Sequence, residues 1–244
     1  MLTQLFHGLC DLVYPHICIL CKKELHTADR AACLCSSCQI SIELNVPPFC
    51  QKCSRHLKDS ARTFVCAQCL KTALSFDEAW GVCLYNDPLR RLIHLFKYGG
   101  KLALAHEFSQ IILRFVDIYH IDLSAYDLVI PVPLHPARLR ERGYNQSELL
   151  SDAVAGHFLL PCEKHTLIRT RHTHFQARLS PKQRWTNLDG AFRINHPDVL
   201  KDRSVLVVDD LMTTGATASE IARLLKHSGA CRVGVLTLAM ADLD

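Results

Sequence analysis

The sequence predicts an α/β protein with a doubly wound parallel sheet, preceded by a small cysteine-rich module. From about residue 76 onward, short apolar runs alternate with stretches of helical periodicity, which is the pattern of a parallel sheet with crossover helices. One apolar run, at 205–208, ends on two adjacent carboxylates and a turn of small hydroxyl residues. Eleven of the thirteen cysteines precede residue 84. The chain therefore has two parts of different character.

Length and charge limit the architecture further. A chain of 244 residues suits one large domain plus a module, and we expect the cysteine-rich module over 1–72 and the α/β domain over 73–244. A net charge of +4 permits contact with phosphate or nucleic acid without requiring it. No stretch reaches the roughly 18 to 20 apolar residues of a membrane helix, and the N-terminus lacks the basic start and cleavage site of a secretory signal. These features predict a cytoplasmic protein with no membrane insertion.

Eight of the early cysteines form Cys-x-x-Cys pairs. The pairs are Cys18/Cys21, Cys35/Cys38, Cys50/Cys53 and Cys66/Cys69. This spacing lets both thiolates of a pair bind one Zn²⁺ from a tight turn, and two pairs complete a tetrahedral site. The gaps of 13, 11 and 12 residues between pairs suit zinc ribbons. The sequence therefore predicts two structural zinc ions.

The spacing leaves the sharing of ligands open. Sequential sharing, with the first two pairs at one site and the last two at the other, is the simpler arrangement, although a cross-braced one is equally consistent. Cys33 could compete with Cys35 as a ligand. A disulfide framework is the alternative for all these cysteines, but it requires an oxidising compartment, for which the N-terminus carries no signal.

Four apolar runs are predicted as strands and three periodic stretches as helices. The strands are 78–86, 127–134, 204–210 and 233–239, and the helices are 102–119, 145–159 and 217–228. The strands show little polar alternation, which is typical of strands buried on both faces. Two pairs, Asn145 with Glu148 and Thr217 with Glu220, have the spacing of capping boxes at helix starts. The alternation predicts parallel pairing.

The third predicted strand ends on Asp209 and Asp210, and ligands of open α/β sheets bind at this carboxyl edge. The following turn offers backbone N–H groups and hydroxyls at a helix N-terminus, which favours a phosphate. Its residues are Thr213, Thr214, Gly215, Ala216 and Thr217. The carboxylates would repel phosphate, but they accept hydrogen bonds from vicinal sugar hydroxyls or hold a divalent metal. Taken singly, the two aspartates could merely end a strand and the threonines merely cap a helix; together they predict a ribose 5-phosphate.

Three basic segments are candidates for contact with a pyrophosphate. The turn at 135–146 follows the second strand and carries Arg138, Arg140, Arg142 and Gly143; guanidinium groups suit paired phosphate oxygens. The segment 162–193 is long, basic and largely without periodicity, as expected of a functional loop or lid. Its lid candidates are Arg178, Lys182 and Arg184. The turn at 96–101, with sequence FKYGGK, is a third and less specific candidate.

The motifs together resemble a known family. The early cysteine pairs, LYNDPLRRLIHLFKYGGK, VIPVPLHPARLRERGYNQ and VLVVDDLMTTGAT occur in this order over nearly the whole chain. The last resembles the phosphoribosyl pyrophosphate (PRPP) signature of type I phosphoribosyltransferases, and the chain as a whole is similar to the ComF/GntX family. The chain departs from that family at Ser54-Arg55-His56, where Gly-x-Pro is common.

The resemblance implies a type I phosphoribosyltransferase-like fold with an N-terminal zinc finger, in a protein of natural competence, DNA uptake or use of external DNA. It places Asp209 and Asp210 at the ribose hydroxyls as catalytic and PRPP-binding residues, 213–217 at the 5-phosphate, and 135–146 at the pyrophosphate. A transferase of this kind would use PRPP with Mg²⁺, and the acceptor is not revealed.

A different class of function is compatible with the same residues. The chain could be a non-catalytic protein that handles single-stranded DNA or docks to other DNA-uptake proteins, with the fold as a scaffold or PRPP sensor. Contacts to DNA would then be local, because the net charge is small. The candidates are Lys164, Arg169 and Arg171, or Lys22, Lys23 and Lys52 in the cysteine module.

Overall fold

A computed structural model describes residues 16–25, 32–57, 64–171, 188 and 190–241. The lid candidates Arg178, Lys182 and Arg184 lie outside these residues. In chain order the strands are β1 (Glu78–Leu84), β2 (Leu128–Pro131), β3 (Leu167–Arg169), β4 (Phe192–Ile194), β5 (Ser204–Met212) and β6 (Arg232–Met240). The helices are α1 (Ser36–Ile40), α2 (Ala67–Lys71), α3 (Leu89–Tyr98), α4 (Leu104–Ile118), α5 (Pro136–Arg142), α6 (Gln146–Phe158) and α7 (Ala216–His227).

Four strands form the predicted parallel sheet. Their order is β1-β6-β5-β2, and every neighbouring pair is parallel. The four predicted strands and three predicted helices are all present, with ends that differ by a few residues. Strands β5 and β6 occupy the centre because their residues are almost entirely apolar and buried on both faces.

Two apolar clusters lie on opposite faces of the sheet. Neighbouring residues of β5 alternate between them, since Leu206 contributes to one cluster and Val207 to the other. The first cluster contains side chains of α3, α4 and α6, and the second contains side chains of α7, β3 and β4. Helices on both faces of a parallel sheet make the fold doubly wound, as predicted.

The cysteine-rich module consists of two zinc ribbons. The first ribbon is described at 16–25 and 32–42, and the second at 48–57 and 64–71. The first ribbon shares the main apolar core with the α/β domain, because Cys18, Leu34 and Ile42 belong to the same cluster as Phe108 of α4. Packing is therefore continuous across the boundary expected near residue 72.

Backbone hydrogen bonds join the module to the sheet as well. Leu44 forms an antiparallel bridge with Cys83 on the outer edge of β1. The Asn45 N–H donates to the Val82 carbonyl at 2.9 Å, and the Leu84 N–H donates to the Glu43 carbonyl at 3.0 Å. The segment between the ribbons thus extends the sheet by one short strand-like contact.

The structure corrects the predicted start of the last helix. Helix α7 begins at Ala216, with Gly215 as its N-cap in the left-handed region at φ +78°, so Thr217 does not cap it. Glu220 instead pairs with Arg223 at 2.8 Å. Glycine adopts this φ without a steric cost, so the chain turns into the helix earlier than the capping-box spacing indicated.

Helices α1, α2, α3 and α5 and strands β3 and β4 were not predicted. The 135–146 segment contains a full helix, α5, and the FKYGGK segment begins inside α3. Strands β3 and β4 pair as an antiparallel hairpin, with Leu167 opposite Ile194, and so close the two ends of the predicted loop at 162–193. None of the described helices is both long and apolar enough to cross a membrane.

Candidate functional site

The acidic end of β5 lies against a lysine of α3. The Lys97 ammonium is 2.7 Å from Oδ2 of Asp210, and Asp210 is only 5% exposed. Asp209 accepts two hydrogen bonds on Oδ1, one from the Ser147 hydroxyl at 2.9 Å and one from the Asp210 N–H at 2.8 Å. Both carboxylates are therefore fixed in orientation by α3, by the start of α6 and by the strand itself.

The two carboxylates and Lys97 influence one another's protonation. Burial and the neighbouring charge of Asp210 together raise the pKa of Asp209 to about 7, although Lys97 opposes the shift. Burial disfavours the charged form of Lys97, but attraction to Asp210 outweighs it, so the pKa of Lys97 is raised. The site therefore keeps a charged Lys97–Asp210 pair beside a carboxyl group that titrates near neutral pH.

The hydroxyl-rich turn, residues 213–217 and called the phosphate loop below, lines a cleft beside Asp209. Gly215 is buried, and the Phe76 ring lies 3.7 Å from the position that a Cβ on Gly215 would occupy. Thr214 is buried, and its Oγ1 accepts a hydrogen bond from the Ala216 N–H at 3.4 Å. The loop ends at the N-terminus of a helix of 12 residues, where N–H groups and the helix dipole favour an anion.

The three predicted arginines of helix α5 have different surroundings. The Arg142 guanidinium lies 5.0 Å from the centre of the Tyr98 ring and donates to Gln146, so it is held beside α3. Arg138 pairs with Glu141 at 3.1 Å, and Arg140 is exposed. Gly143 ends the helix in the left-handed region at φ +83°. Of the three arginines, Arg142 is the one packed against the helix that carries Lys97.

Sequence reasoning placed Lys97 only within the weakest of three candidate segments. The FKYGGK turn has no fixed spacing to the Asp pair, so nothing in the sequence connected Lys97 with Asp210. Ser147 was likewise not predicted as a site residue, although it lies two residues after the predicted cap Asn145. Asn145 does cap α6, because its side chain accepts from the Ser147 N–H at 3.1 Å, and this places the Ser147 hydroxyl at Asp209.

The eight predicted cysteine ligands form two separate groups. Within each group all four Sγ atoms lie within 4.8 Å of one another. The groups are Cys18, Cys21, Cys35 and Cys38, and Cys50, Cys53, Cys66 and Cys69. The grouping matches sequential sharing of ligands, and none of the twelve described cysteines forms a disulfide.

The sulfur geometry suits zinc. The Cys21 and Cys35 Sγ atoms are 3.7 Å apart, and those of Cys53 and Cys66 are 3.6 Å apart. Tetrahedral Zn–S bonds of about 2.3 Å place sulfurs about 3.8 Å apart, so each group has the size of a Cys₄ site. Cys33 lies outside both groups; its N–H donates to Glu107 at 2.9 Å, and burial together with that carboxylate raises the pKa of its thiol to about 12.

Comparison with known proteins agrees with this architecture. Residues 9–70 match the double zinc ribbon domain family, and residues 165–242 match the phosphoribosyl transferase domain family. Competence protein F of Haemophilus influenzae is 34% identical over 228 residues, which cover 92% of this chain and 96% of that protein. The chain belongs to the ComF family.

Other ComF relatives have different names. The DNA utilization protein YhgH of Escherichia coli O157:H7 is 32% identical over 93% of this chain and 98% of its own length. Competence protein ComFC of Streptococcus pneumoniae is 25% identical over 91% of this chain and 98% of its own length. A purine phosphoribosyltransferase structure from Pyrococcus horikoshii Ot3 is 20% identical, covers 56% of this chain and 73% of that one, and has a TM-score of 0.31.

Proposed function

We propose that this ComF-family protein binds PRPP with Mg²⁺ in the cleft at the carboxyl end of β5 and acts as a phosphoribosyltransferase-like protein in competence or the use of external DNA. One observation carries the proposal: the Asp209–Asp210 pair, held by Ser147 and Lys97, is followed directly by a threonine- and glycine-containing loop at a helix N-terminus. Carboxylates that can accept hydrogen bonds from a diol thus lie beside N–H groups that can donate to a phosphate.

Each part of PRPP has complementary groups in this arrangement. The Asp209 and Asp210 carboxylates accept hydrogen bonds from the two ribose hydroxyls. The phosphate loop, Thr213, Thr214, Gly215, Ala216 and Thr217, receives the 5-phosphate at the start of α7. Arg142, which packs beside α3, would contact the pyrophosphate together with Arg138, Arg140 and the backbone at Gly143 of the same segment.

The protein's contribution to transfer would be positioning and electrostatic stabilisation. Carboxylate oxygens are the ligand type that Mg²⁺ prefers; Asp209 lines the cleft, whereas Oδ2 of Asp210 is paired with Lys97. Bound Mg²⁺ would neutralise charge on the departing pyrophosphate. The carboxylates would hold the ribose while the anomeric carbon becomes cationic and an acceptor nitrogen adds.

The zinc ribbons have a structural part in the proposal. Each Cys₄ group would hold one Zn²⁺, which makes two ions per chain, and metal binding would supply folding free energy to a module with little core of its own. Metal analysis of protein purified without chelators should return about two zinc ions per chain. Protein without zinc whose thiols are oxidised would contradict this assignment.

The test of the PRPP site is ligand-dependent thermal stability. PRPP with Mg²⁺ should raise the melting temperature, because it binds the folded state, and Asp209→Asn combined with Asp210→Asn should abolish that increase. The exposed carboxylate Asp117 on α4 provides a matched control, since Asp117→Asn should leave the increase intact. Equal increases in the double variant and the parent would contradict the ribose assignment.

The relatives include a DNA utilization protein, and this name favours a second candidate function, the handling of DNA, for which we propose single strands as the ligand. The basic candidates differ in availability. Lys164 pairs with Asp152 at 2.7 Å, and the Arg169 guanidinium lies 5.4 Å from the centre of the Phe192 ring. In the module, Lys22 and Lys52 donate to backbone carbonyls. Lys22, Lys23 and Arg171 are exposed, whereas Lys52, Lys164 and Arg169 are half-buried.

Single-stranded oligonucleotide titrations at several salt concentrations test DNA binding, with and without saturating PRPP. Backbone contacts predict weak binding with little sequence preference and a steep loss with salt. Loss of DNA binding on addition of PRPP would place both ligands on one surface, and unchanged binding would separate them. No binding at low salt would exclude direct DNA handling and leave phosphoribosyl chemistry or docking to DNA-uptake proteins.

A further inference from the structure

The two ribbons repeat the same cysteine knuckle. In the first, the Cys18 N–H donates to the Lys23 carbonyl at 2.8 Å, and in the second, the Cys50 N–H donates to the Arg55 carbonyl at 2.8 Å. Arg55 is therefore the structural counterpart of Lys23. The Lys23 side chain is exposed, whereas Arg55 is half-buried. The same backbone position thus carries a solvent-exposed cation in one ribbon and an internal one in the other.

Arg55 crosses from the second ribbon to the phosphate loop. Its Nη2 donates to the Thr213 carbonyl at 2.6 Å. Close by, the Lys52 ammonium donates to the Phe76 carbonyl and lies 5.5 Å from the centre of the Phe76 ring. That ring packs behind Gly215. The knuckle of the second ribbon therefore contacts the back of the loop directly through Arg55 and indirectly through Lys52.

The Arg55 contact fixes the orientation of one peptide group. In a planar trans peptide, the carbonyl of one residue and the N–H of the next point in opposite directions. The Thr213–Thr214 peptide is not among the cis bonds of the described chain, so holding the Thr213 carbonyl toward the ribbon turns the Thr214 N–H away from it. Thr213 and Thr214 both line the cleft. A charged donor makes this restraint stronger than a neutral hydrogen bond would.

We propose that Arg55 is a positioning residue that orients the Thr214 N–H toward the 5-phosphate, so that the second zinc ribbon sets the affinity of the phosphate loop. This inference rests on the proposed PRPP site. The second ribbon would then do more than stabilise the fold, because its cysteine knuckle determines the position of the Arg55 guanidinium.

The first test needs no ligand. Hydrogen exchange of peptides spanning 211–219 should be about 10-fold faster in Arg55→Gln than in the parent, as expected for loss of a charge-assisted hydrogen bond. The matched control is Lys23→Gln, which removes a cation from the equivalent position and should leave exchange unchanged. Zinc content should stay the same in both variants. Equal exchange in Arg55→Gln and the parent would overturn the positioning role.

The second test separates the phosphate loop from the rest of the site. Arg55→Gln should weaken ribose 5-phosphate binding about 10-fold, while inorganic pyrophosphate, which does not use the loop, should bind within twofold of the parent. Equal weakening for both probes would indicate a general loss of positive charge and overturn the inference. If the parent binds neither PRPP nor ribose 5-phosphate, the proposed function fails, and the exchange measurement alone decides whether Arg55 orients the loop.

Discussion

The two zinc ribbons have the same local structure and very different surroundings. The first contributes Cys18, Leu34 and Ile42 to the main apolar core. Glu107 of α4, which is 8% exposed, accepts hydrogen bonds from the Cys33 N–H at 2.9 Å and the Gln39 amide at 3.1 Å. The first ribbon is thus an integral part of the α/β domain.

The second ribbon has a small cluster of its own. Three buried residues, Cys50, Cys53 and Leu57, form it, with Val65 among the partly buried residues around them. The Phe49 ring packs against Phe115 of α4 with centroids 6.1 Å apart, and polar contacts reach Phe76 and the phosphate loop through Lys52 and Arg55. The comparison teaches that one cysteine repeat can join the main core in one copy and contact the phosphate loop in the other.

Replacement of equivalent cysteines should produce the largest difference between the two ribbons. Cys18→Ser and Cys50→Ser replace buried thiols at matching positions, and each should cost one zinc ion. Because the first ribbon shares the main core, Cys18→Ser should lower the main melting temperature by roughly 5–10 °C. Cys50→Ser should lower it by less than about 3 °C and instead speed hydrogen exchange in the second ribbon and the phosphate loop. Calorimetry, metal analysis and exchange check the pair; identical behaviour would contradict the comparison.

Glu107 offers a test that leaves the cysteines intact. Glu107→Ala leaves the Cys33 N–H and the Gln39 amide without their acceptor inside the structure, which should reduce the free energy of unfolding by about 2–4 kcal/mol. Glu107→Gln keeps the shape and one acceptor oxygen, so its loss should be smaller. Urea denaturation measures both variants. A change below about 0.5 kcal/mol for Glu107→Ala would show that the first ribbon does not depend on this contact.

The site beside the second ribbon should respond to pH in a way that the first ribbon does not. The pKa of Asp209 is raised to about 7 in the folded protein, whereas an unfolded aspartate titrates near 3.9. The stability associated with protonated Asp209 is therefore present at low pH and lost as the pH rises through 7.

Between pH 5 and pH 8 the free energy of unfolding should fall by about 2 kcal/mol through this group. Asp209→Asn should remove that part of the slope and stabilise the protein at pH 8. Urea denaturation at both pH values checks this expectation, with Asp117→Asn as the exposed control. An unchanged slope in Asp209→Asn would show that Asp209 titrates normally.

The smallest expected difference between the ribbons concerns the residue that directly follows the first Cys-x-x-Cys pair of each. Lys22 and Ser54 both have left-handed backbone, at φ 65° and φ 61°, and glycine relieves such strain by about 1 kcal/mol. Lys22→Gly should therefore stabilise the protein slightly. Ser54→Gly should give no gain, because the buried Ser54 hydroxyl accepts from the Asn45 amide at 3.2 Å and the Gly81 N–H at 3.3 Å. Equal gains in both variants would mean that these hydrogen bonds contribute nothing.

The features that could be predicted from the sequence are those encoded by local patterns. The four strands of the sheet, three helices and the grouping of cysteines follow from runs, periodicity and spacing within a few tens of residues. Contacts such as Lys97 with Asp210 and Arg55 with Thr213 join residues more than 100 positions apart, and no local pattern encodes them. Ser54 and Arg55 stand out in the sequence only as a departure from the family pattern. Of the two, Arg55 contacts the phosphate loop in the structure.

The error at Thr217 has a physical reason as well. A capping box and a glycine N-cap are both acceptable starts for α7, and the sequence contains both. The buried Phe76 ring and the half-buried Leu74 side chain near Gly215 favour the closer approach that glycine permits. Tertiary packing therefore selected between two local solutions of similar quality.

The short pairing between Leu44 and Cys83 has a consequence for solubility. Exposed edge strands offer unpaired N–H and carbonyl groups that recruit other chains. Here residues 43–45 cover the outer edge of β1, and at the opposite edge β2 is met by the chain around Cys162, where Val129 donates to the Pro161 carbonyl at 2.8 Å. Because residues 43–45 lie between the two metal-held ribbons, withdrawal of zinc would uncover an apolar edge, and the first sign of metal loss should be self-association rather than unfolding.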